Sequence, residues 1–191
     1  MSERELLVRV HTAALAAVHA GKAVQDALEA SHPPGRFRVL GAGKASCAMA
    51  RGALAALGSR IAGGWVVTKD GHGFPVRPIE VLEASHPIPD ERSVDAAGRA
   101  LRCAQTLGES ETLLVLISGG ASSLWCAPAA GVSLSDKQAV TRALLAAGAE
   151  IGEINTVRKH LSRIKGGGLL AAARPAPVLT LAVSDVAGDV P

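Results

Sequence analysis

Leu113-Leu114-Val115-Leu116-Ile117 runs without a polar residue into Ser118-Gly119-Gly120-Ala121-Ser122-Ser123. An apolar run with no alternation suits a strand covered on both faces, as in a parallel sheet with helices on either side. The Gly/Ser turn then falls at the strand's carboxyl end, where such sheets seat anions. The same rhythm recurs in both directions along the chain. Upstream, the pattern predicts strands over 37–40, 65–68 and 79–82 and helices over 44–57 and 91–107; downstream it predicts a helix capped by Ser133 and Asp136 and running to 145, a helix over 151–165 and a buried strand over 178–183. Strands alternating with helices predict an α/β fold with a doubly wound parallel sheet.

The chain opens with a helix. Ser2 and Glu5 form an S-x-x-E capping box, and Leu6, Leu7, Val10, Ala13, Ala14, Ala17 and Val18 recur at helical spacing. A break near Gly21, resumption through Val24 and Leu28, and a stop at Ser31-His32-Pro33-Pro34-Gly35 complete the segment.

Composition narrows the function classes. The 191 residues are 48% hydrophobic, enough for the core of one ordinary domain. A net charge of +3 without a dense Lys/Arg block, together with no Tyr, two Phe and two Trp, argues against nucleic acid as the main partner. No stretch has the roughly 18 consecutive apolar residues of a membrane span. The first helix carries Glu3, Arg4, Glu5 and Arg9, unlike a signal peptide. A soluble, cytoplasmic protein is the expectation. Cys47, Cys103 and Cys126 are odd in number and far apart, which suits buried thiols rather than a disulfide framework or a zinc site.

Five motifs carry chemistry. Gly41-Ala42-Gly43-Lys44-Ala45-Ser46 follows a strand and opens a helix, so it reads either as a phosphate turn or as a tight turn with a solvated lysine. It lacks the glycine and Ser/Thr of a Walker A loop, with Arg38 and Ala45 in those places, and the third glycine of a dinucleotide fingerprint, where Ser46 stands. Asp70 lies roughly where a ribose-binding acid would follow. Ser118, Gly119, Gly120, Ser122 and Ser123 could cradle an anionic oxygen, or form an ordinary loop. On the helix over 151–165, Ile154, Val157, Leu161 and Ile164 make an apolar stripe, while Asn155, Arg158, Lys159, Ser162 and Lys165 fall opposite, as an anion-binding or a solvated face. His86 lies in Ser85-His86-Pro87-Ile88-Pro89-Asp90, where Asp90 can cap the next helix, and it reads as structural or as lining a cleft. In Ser184-Asp185-Val186-Ala187-Gly188-Asp189, Asp185 and Asp189 could hold Mg²⁺ through water or simply form a turn.

Taken together and in this order, these segments resemble the glycerate 2-kinase family, whose members carry a second domain called MOFRL and are often labelled hydroxypyruvate reductase. The resemblance runs from about Gly41 to the end of the chain. It implies a Rossmann-like sheet with helices on both faces, incomplete at its carboxyl end and without the MOFRL domain. It further implies ATP-dependent phosphorylation of D-glycerate at the 2-hydroxyl, with ATP and Mg²⁺ required and a homodimer as one form of assembly. On the matching positions, Lys44 and Arg158 would be catalytic. Gly41, Gly43, Ser46, His86, Ser118, Gly119, Gly120, Ser122, Ser123, Asn155, Lys159 and Lys165 would bind substrate or phosphate, and Asp185 and Asp189 the metal. Ala187, Val190 and Pro191 depart from the family pattern around those two carboxylates. An NAD(P)-dependent hydroxypyruvate reductase is the rival reading, through the partial fingerprint and Asp70. A ligand-binding remnant without catalysis is the third.

Overall fold

A computed structural model describes residues 1–184. Five strands, β1 (Arg36–Ala42), β2 (Ile61–Lys69), β3 (Ile79–Ala84), β4 (Glu111–Ser118) and β5 (Val178–Val183), form one sheet in the order β3-β2-β1-β4-β5. Every neighbouring pair is parallel. The chain winds outward from β1 to β3, then crosses back to the other side of β1 to lay down β4 and β5. The sheet is therefore doubly wound, and its order reverses between β1 and β4.

Period-two alternation divides the strand side chains between two cores. Phe37 and Val39 of β1 with Leu114 and Leu116 of β4 point to one side, where they meet Val24 and Leu28 of α2 (Ala20–Ser31) and Met49 and Ala53 of α3 (Ser46–Leu57). Leu40, Ala42, Leu113 and Val115 point to the other side, beneath α4 (Glu91–Gln105) and α8 (Gly168–Ala173). The face that α4 presents there is built of Ala96, Ala97, Ala100 and Ala104, short side chains that let the helix lie close to the sheet. Leu113, Leu114 and Leu116 are fully buried, each contributing about 2 kcal/mol through removal from water. This explains why β4 has no polar residue between Thr112 and Ser118.

The capping residues act where the sequence places them. Ser2 and Glu5 start α1 (Glu3–Ala17), Asp90 and Ser93 start α4, and Ser133 and Asp136 start α6 (Leu134–Ala146), each exchanging side-chain and backbone hydrogen bonds.

Four local expectations are corrected. The strand expected to be buried over 178–183 forms as β5 at the end of the sheet order, and each of its residues is half-buried or exposed. The first helix breaks at Val18-His19, where His19 Nδ1 accepts the Lys22 N–H and caps α2. Gly21 lies inside α2, and a Cβ there would stand 2.6 Å from the Ala48 carbonyl oxygen of α3. Further, the helix expected over 151–165 ends early, as α7 (Ile151–His160). Beyond it the backbone pairs with another segment: Arg163 N–H donates to the Ala127 carbonyl and Ala129 N–H to the Leu161 carbonyl, which draws residues 161–163 out of helical geometry. Two short helices, α5 (Ala121–Leu124) and α8, also lie in segments where no helix was expected.

Candidate functional site

In a doubly wound sheet, ligands bind beyond the carboxyl ends of the strands at the point where the strand order reverses. Here that point lies between β1, which ends at Ala42, and β4, which ends at Ser118. The loops leaving these two strands are joined directly. Lys44 N–H donates to the Gly119 carbonyl (2.9 Å), and Ala45 N–H donates to Ser118 Oγ (3.0 Å). Gly43, at φ +135°, makes this junction possible, because a Cβ on it would lie 2.1 Å from Ser118 Oγ.

The same bonds correct the backbone-cradle reading of residues 41–46. Gly43 N–H donates to the Val67 carbonyl and Ser46 N–H to the Gly43 carbonyl, so all four N–H groups of residues 43–46 are already used within the protein. Ser46 is fully buried and donates its hydroxyl to the Val67 carbonyl at 3.0 Å, tying α3 to β2. The site expected of Ser46 is thus a packing contact. What this turn offers a ligand is the exposed side chain of Lys44.

The loop after β4 differs. Its turn closes through Ser123 and Leu124 N–H groups on the Gly120 carbonyl, while among the described residues none accepts from the N–H groups of Gly119, Gly120, Ala121 or Ser122. Ser118 and Ser123 are buried, and Ser123 donates its hydroxyl to the Gly120 carbonyl, so these two serines shape the loop from within. Ser122 stays accessible and accepts from Lys165 Nζ.

Cationic groups lie at each end of this loop. At Gly120 (φ +89°), a Cβ would stand 2.9 Å from the His86 ring and 3.4 Å from Lys44 Cγ, so imidazole and lysine stem share the glycine's open face. Partial burial and the nearby ammonium groups of Lys44 and Lys69 push the His86 imidazole below its usual range, leaving it neutral at pH 7. At the Ser122 end, a cavity of about 350 Å³ is lined by Ser122, Asn155, Arg158, Lys159, Lys165 and Gly166. Burial, with Arg158 and Lys137 as like charges, lowers Lys165 to about 8. Asn155 Oδ1 lies 3.5 Å from Arg158 Nη1, one helical turn along α7.

Residues 6–191 match the model of a family described as a domain of unknown function, DUF4147. The chain belongs to the DUF4147 family. This is the N-terminal domain of the glycerate 2-kinase family that the motifs resemble. Over 189 residues it is 43% identical to the D-glycerate 2-kinase of Thermotoga maritima, with 98% of this chain and 45% of the relative aligned. The crystal structure of a Thermotoga maritima glycerate kinase superposes with a TM-score of 0.91 at 43% identity, covering 97% of this chain and 45% of that one. An Agrobacterium vitis protein provisionally named hydroxypyruvate reductase is 50% identical over 191 residues, all of this chain and 43% of the relative. The chain therefore spans less than half the length of these relatives.

Within the DUF4147 fold, the sequence-derived candidates fall into three groups. Lys44, His86, Gly119 and Gly120 meet at the switch point, with Gly41 and Gly43 shaping the turn behind Lys44. Ser122, Asn155, Arg158, Lys159 and Lys165 share the cavity, although Lys165 reaches it from the turn after α7 rather than from the helix face. Asp185 and Asp189 lie outside the described residues. Among those described, no three His, Cys, Asp or Glu side chains gather as a metal site. Asp70 is engaged by Arg92, whose two terminal nitrogens donate to its two oxygens at 2.6 and 2.8 Å, holding the carboxyl below its usual range. Sequence reasoning missed Lys137 and Lys69, for nothing in their local sequence separates them from solvated lysines. No helix among the described residues is long and apolar enough to cross a membrane.

Proposed function

We propose that this chain forms one wall of a D-glycerate 2-kinase active site, in which the γ-phosphoryl group of ATP passes to the 2-hydroxyl of D-glycerate to give 2-phosphoglycerate. The observation that carries the reading is the arrangement around the loop after β4. Its Gly120 end is flanked by Lys44 and His86, and its Ser122 end by Lys165 and Arg158. Phosphoryl transfer asks a protein mainly to position two anions and to neutralise charge as it moves between them.

In this reading Arg158 grips carboxylate or phosphate oxygens through parallel N–H donors, and Lys165 and Lys44 neutralise phosphoryl oxygens. The neutral His86 imidazole accepts a hydrogen bond from the substrate hydroxyl. Mg²⁺, when bound, would offset phosphate charge; Asp185 and Asp189 are the residues that would hold it and lie outside the described residues, which themselves gather no such ligand set. The names borne by the Thermotoga and Pyrococcus horikoshii relatives, the latter a glycerate 2-kinase 39% identical over 200 residues, support this chemistry. A cytoplasmic, homodimeric enzyme accords with the same reading.

An NAD(P)-dependent reductase is the second reading, favoured by the name of the Agrobacterium relative. The ion pair between Arg92 and Asp70 tells against it, because the acid that would take a ribose hydroxyl is already bridged. One experiment separates the two. The chain replaces the matching segment of the Thermotoga kinase, and the chimera is assayed for glycerate-dependent ADP release, with the product's phosphate position read by NMR. Release of ADP with 2-phosphoglycerate supports the kinase. Consumption of NADH or NADPH with hydroxypyruvate, without ATP turnover, supports the reductase. Lys44→Ala in the chimera should lower ADP release by about 100-fold, and unchanged turnover would remove Lys44 from the mechanism.

A further inference from the structure

Of the thirteen residues of α6, the one that is buried is a lysine. Lys137 is 9% exposed, whereas lysine is almost never buried to that degree without a paired charge. Its charge acts on the Cys126 thiol, and burial pushes that thiol up, so at neutral pH it carries no compensating charge. Arg158 and Lys165 lie close enough to act on the same thiol and on Lys137 or each other. Among the described residues no carboxylate pairs with any of the three. The helix is held in place by Gln138, whose Nε2 donates to the Pro89 carbonyl at 2.9 Å in the loop that carries His86.

We propose that Lys137 is a positioning residue that supplies, from α6 and across the buried Cys126, the third positive charge of a seat for a dianionic phosphoryl group, whose front is Ser122, Arg158 and Lys165. Three like charges around a neutral thiol oppose folding unless something offsets them, and a bound dianion offsets most of their charge. A monoanionic carboxylate would leave two of the three uncompensated. The dianion is either the polyphosphate end of a nucleotide or a phosphomonoester. The assignment rests on the phosphoryl-transfer reading, but binding and turnover can be read separately. Titration of this chain tests the seat, and ADP release from the chimera tests the reaction.

The experiment is isothermal titration calorimetry of the 191-residue chain at pH 7 and constant ionic strength, with pyrophosphate, β-glycerophosphate and D-glycerate as separate probes. Saturable binding of pyrophosphate or β-glycerophosphate is expected, and whichever binds more tightly identifies the source of the phosphoryl group. Lys137→Met, which keeps an unbranched apolar stem one atom shorter and removes the charge, should weaken that binding at least tenfold while leaving the melting temperature of the unliganded chain equal or higher. A purely structural lysine would show the opposite signs, with lower stability and unchanged affinity. Should the variant not fold, the side-chain nitrogen resonances of the unaltered chain decide. Lys137 and Lys165 should both shift on saturation with pyrophosphate. Affinity kept within twofold in Lys137→Met, a Lys137 resonance that stays still, or binding of D-glycerate alone would overturn the assignment.

Discussion

Lys165 shows how position changes a side chain's chemistry. Free lysine titrates near 10.5, but partial burial beside Arg158 and Lys137 lowers Lys165 to about 8. Between about pH 8 and 10.5 the unfolded chain holds a proton here that the folded chain has lost, so this group makes stability rise with pH across that window. Anion binding has the opposite dependence, because it requires the ammonium form. Corrected for pyrophosphate's own ionisation over this range, affinity should be steady below pH 7 and fall as pH passes 8, and the unliganded chain should gain melting temperature over the same rise. Lys165→Met should abolish both trends, and if calorimetry across pH 6.5–9.5 shows the same curves for that variant, another group is responsible. Arg158 makes a complementary case, since its fork of donors matches two oxygens at once where lysine offers a point charge. Arg158→Lys should weaken pyrophosphate binding about tenfold, whereas a merely solvated arginine would tolerate the change within about 0.5 kcal/mol, well under threefold in affinity.

At the scale of elements, the turn from β1 into α3 works as a joint between two strands. Gly43, Lys44 and Ala45 fasten the turn to β2 and to the loop after β4, and Ser46 fastens the start of α3 to β2 from within the core. Ser46→Ala would leave the buried Val67 carbonyl without that donor, at a cost of about 1–2 kcal/mol. For a chain of this size that corresponds to a fall in melting temperature of roughly 2–8 °C. Pyrophosphate affinity of the folded variant should match the parent, as the hydroxyl never reaches the ligand. Weakened binding with unchanged melting would return Ser46 to the site.

For the whole molecule, the site lies along one edge of one sheet. The lysines, His86 and the glycine-rich loop all stand at the carboxyl ends of β1 to β4, and the cavity at Ser122 is shallow. The chain matches about 45% of the Thermotoga structure, so more than half of that relative has no counterpart in these 191 residues. A transfer reaction needs water excluded and the two substrates held in line. The purified 191-residue chain should therefore bind phosphoryl compounds but show no glycerate-dependent ADP release in a coupled assay. Robust release would mean that this one wall is sufficient, and that the open rim already orients both substrates.

What the sequence determined by itself is what depends on local periodicity and turn chemistry. The apolar run of β4, the capping pairs at Ser2, Asp90 and Ser133, and the glycine turns after β1 and β4 act over a few residues, so the doubly wound parallel sheet and the turns at its carboxyl edge that carry Lys44 and Gly120 could be read directly. What only the tertiary structure decided depends on residues far apart in the chain. Ser46 and Ser122 are both serines near a strand end, yet one donates into the core and the other faces Lys165, because Val67 lies beside the first and the turn after α7 beside the second. Residues 161–163 leave the helix because residues 127–129 offer them better-placed partners. Lys137 reads as one more charge on a helix surface until α6 packs it against Cys126. Burial and long-range hydrogen bonding follow from which elements meet, and no short stretch of sequence carries that information.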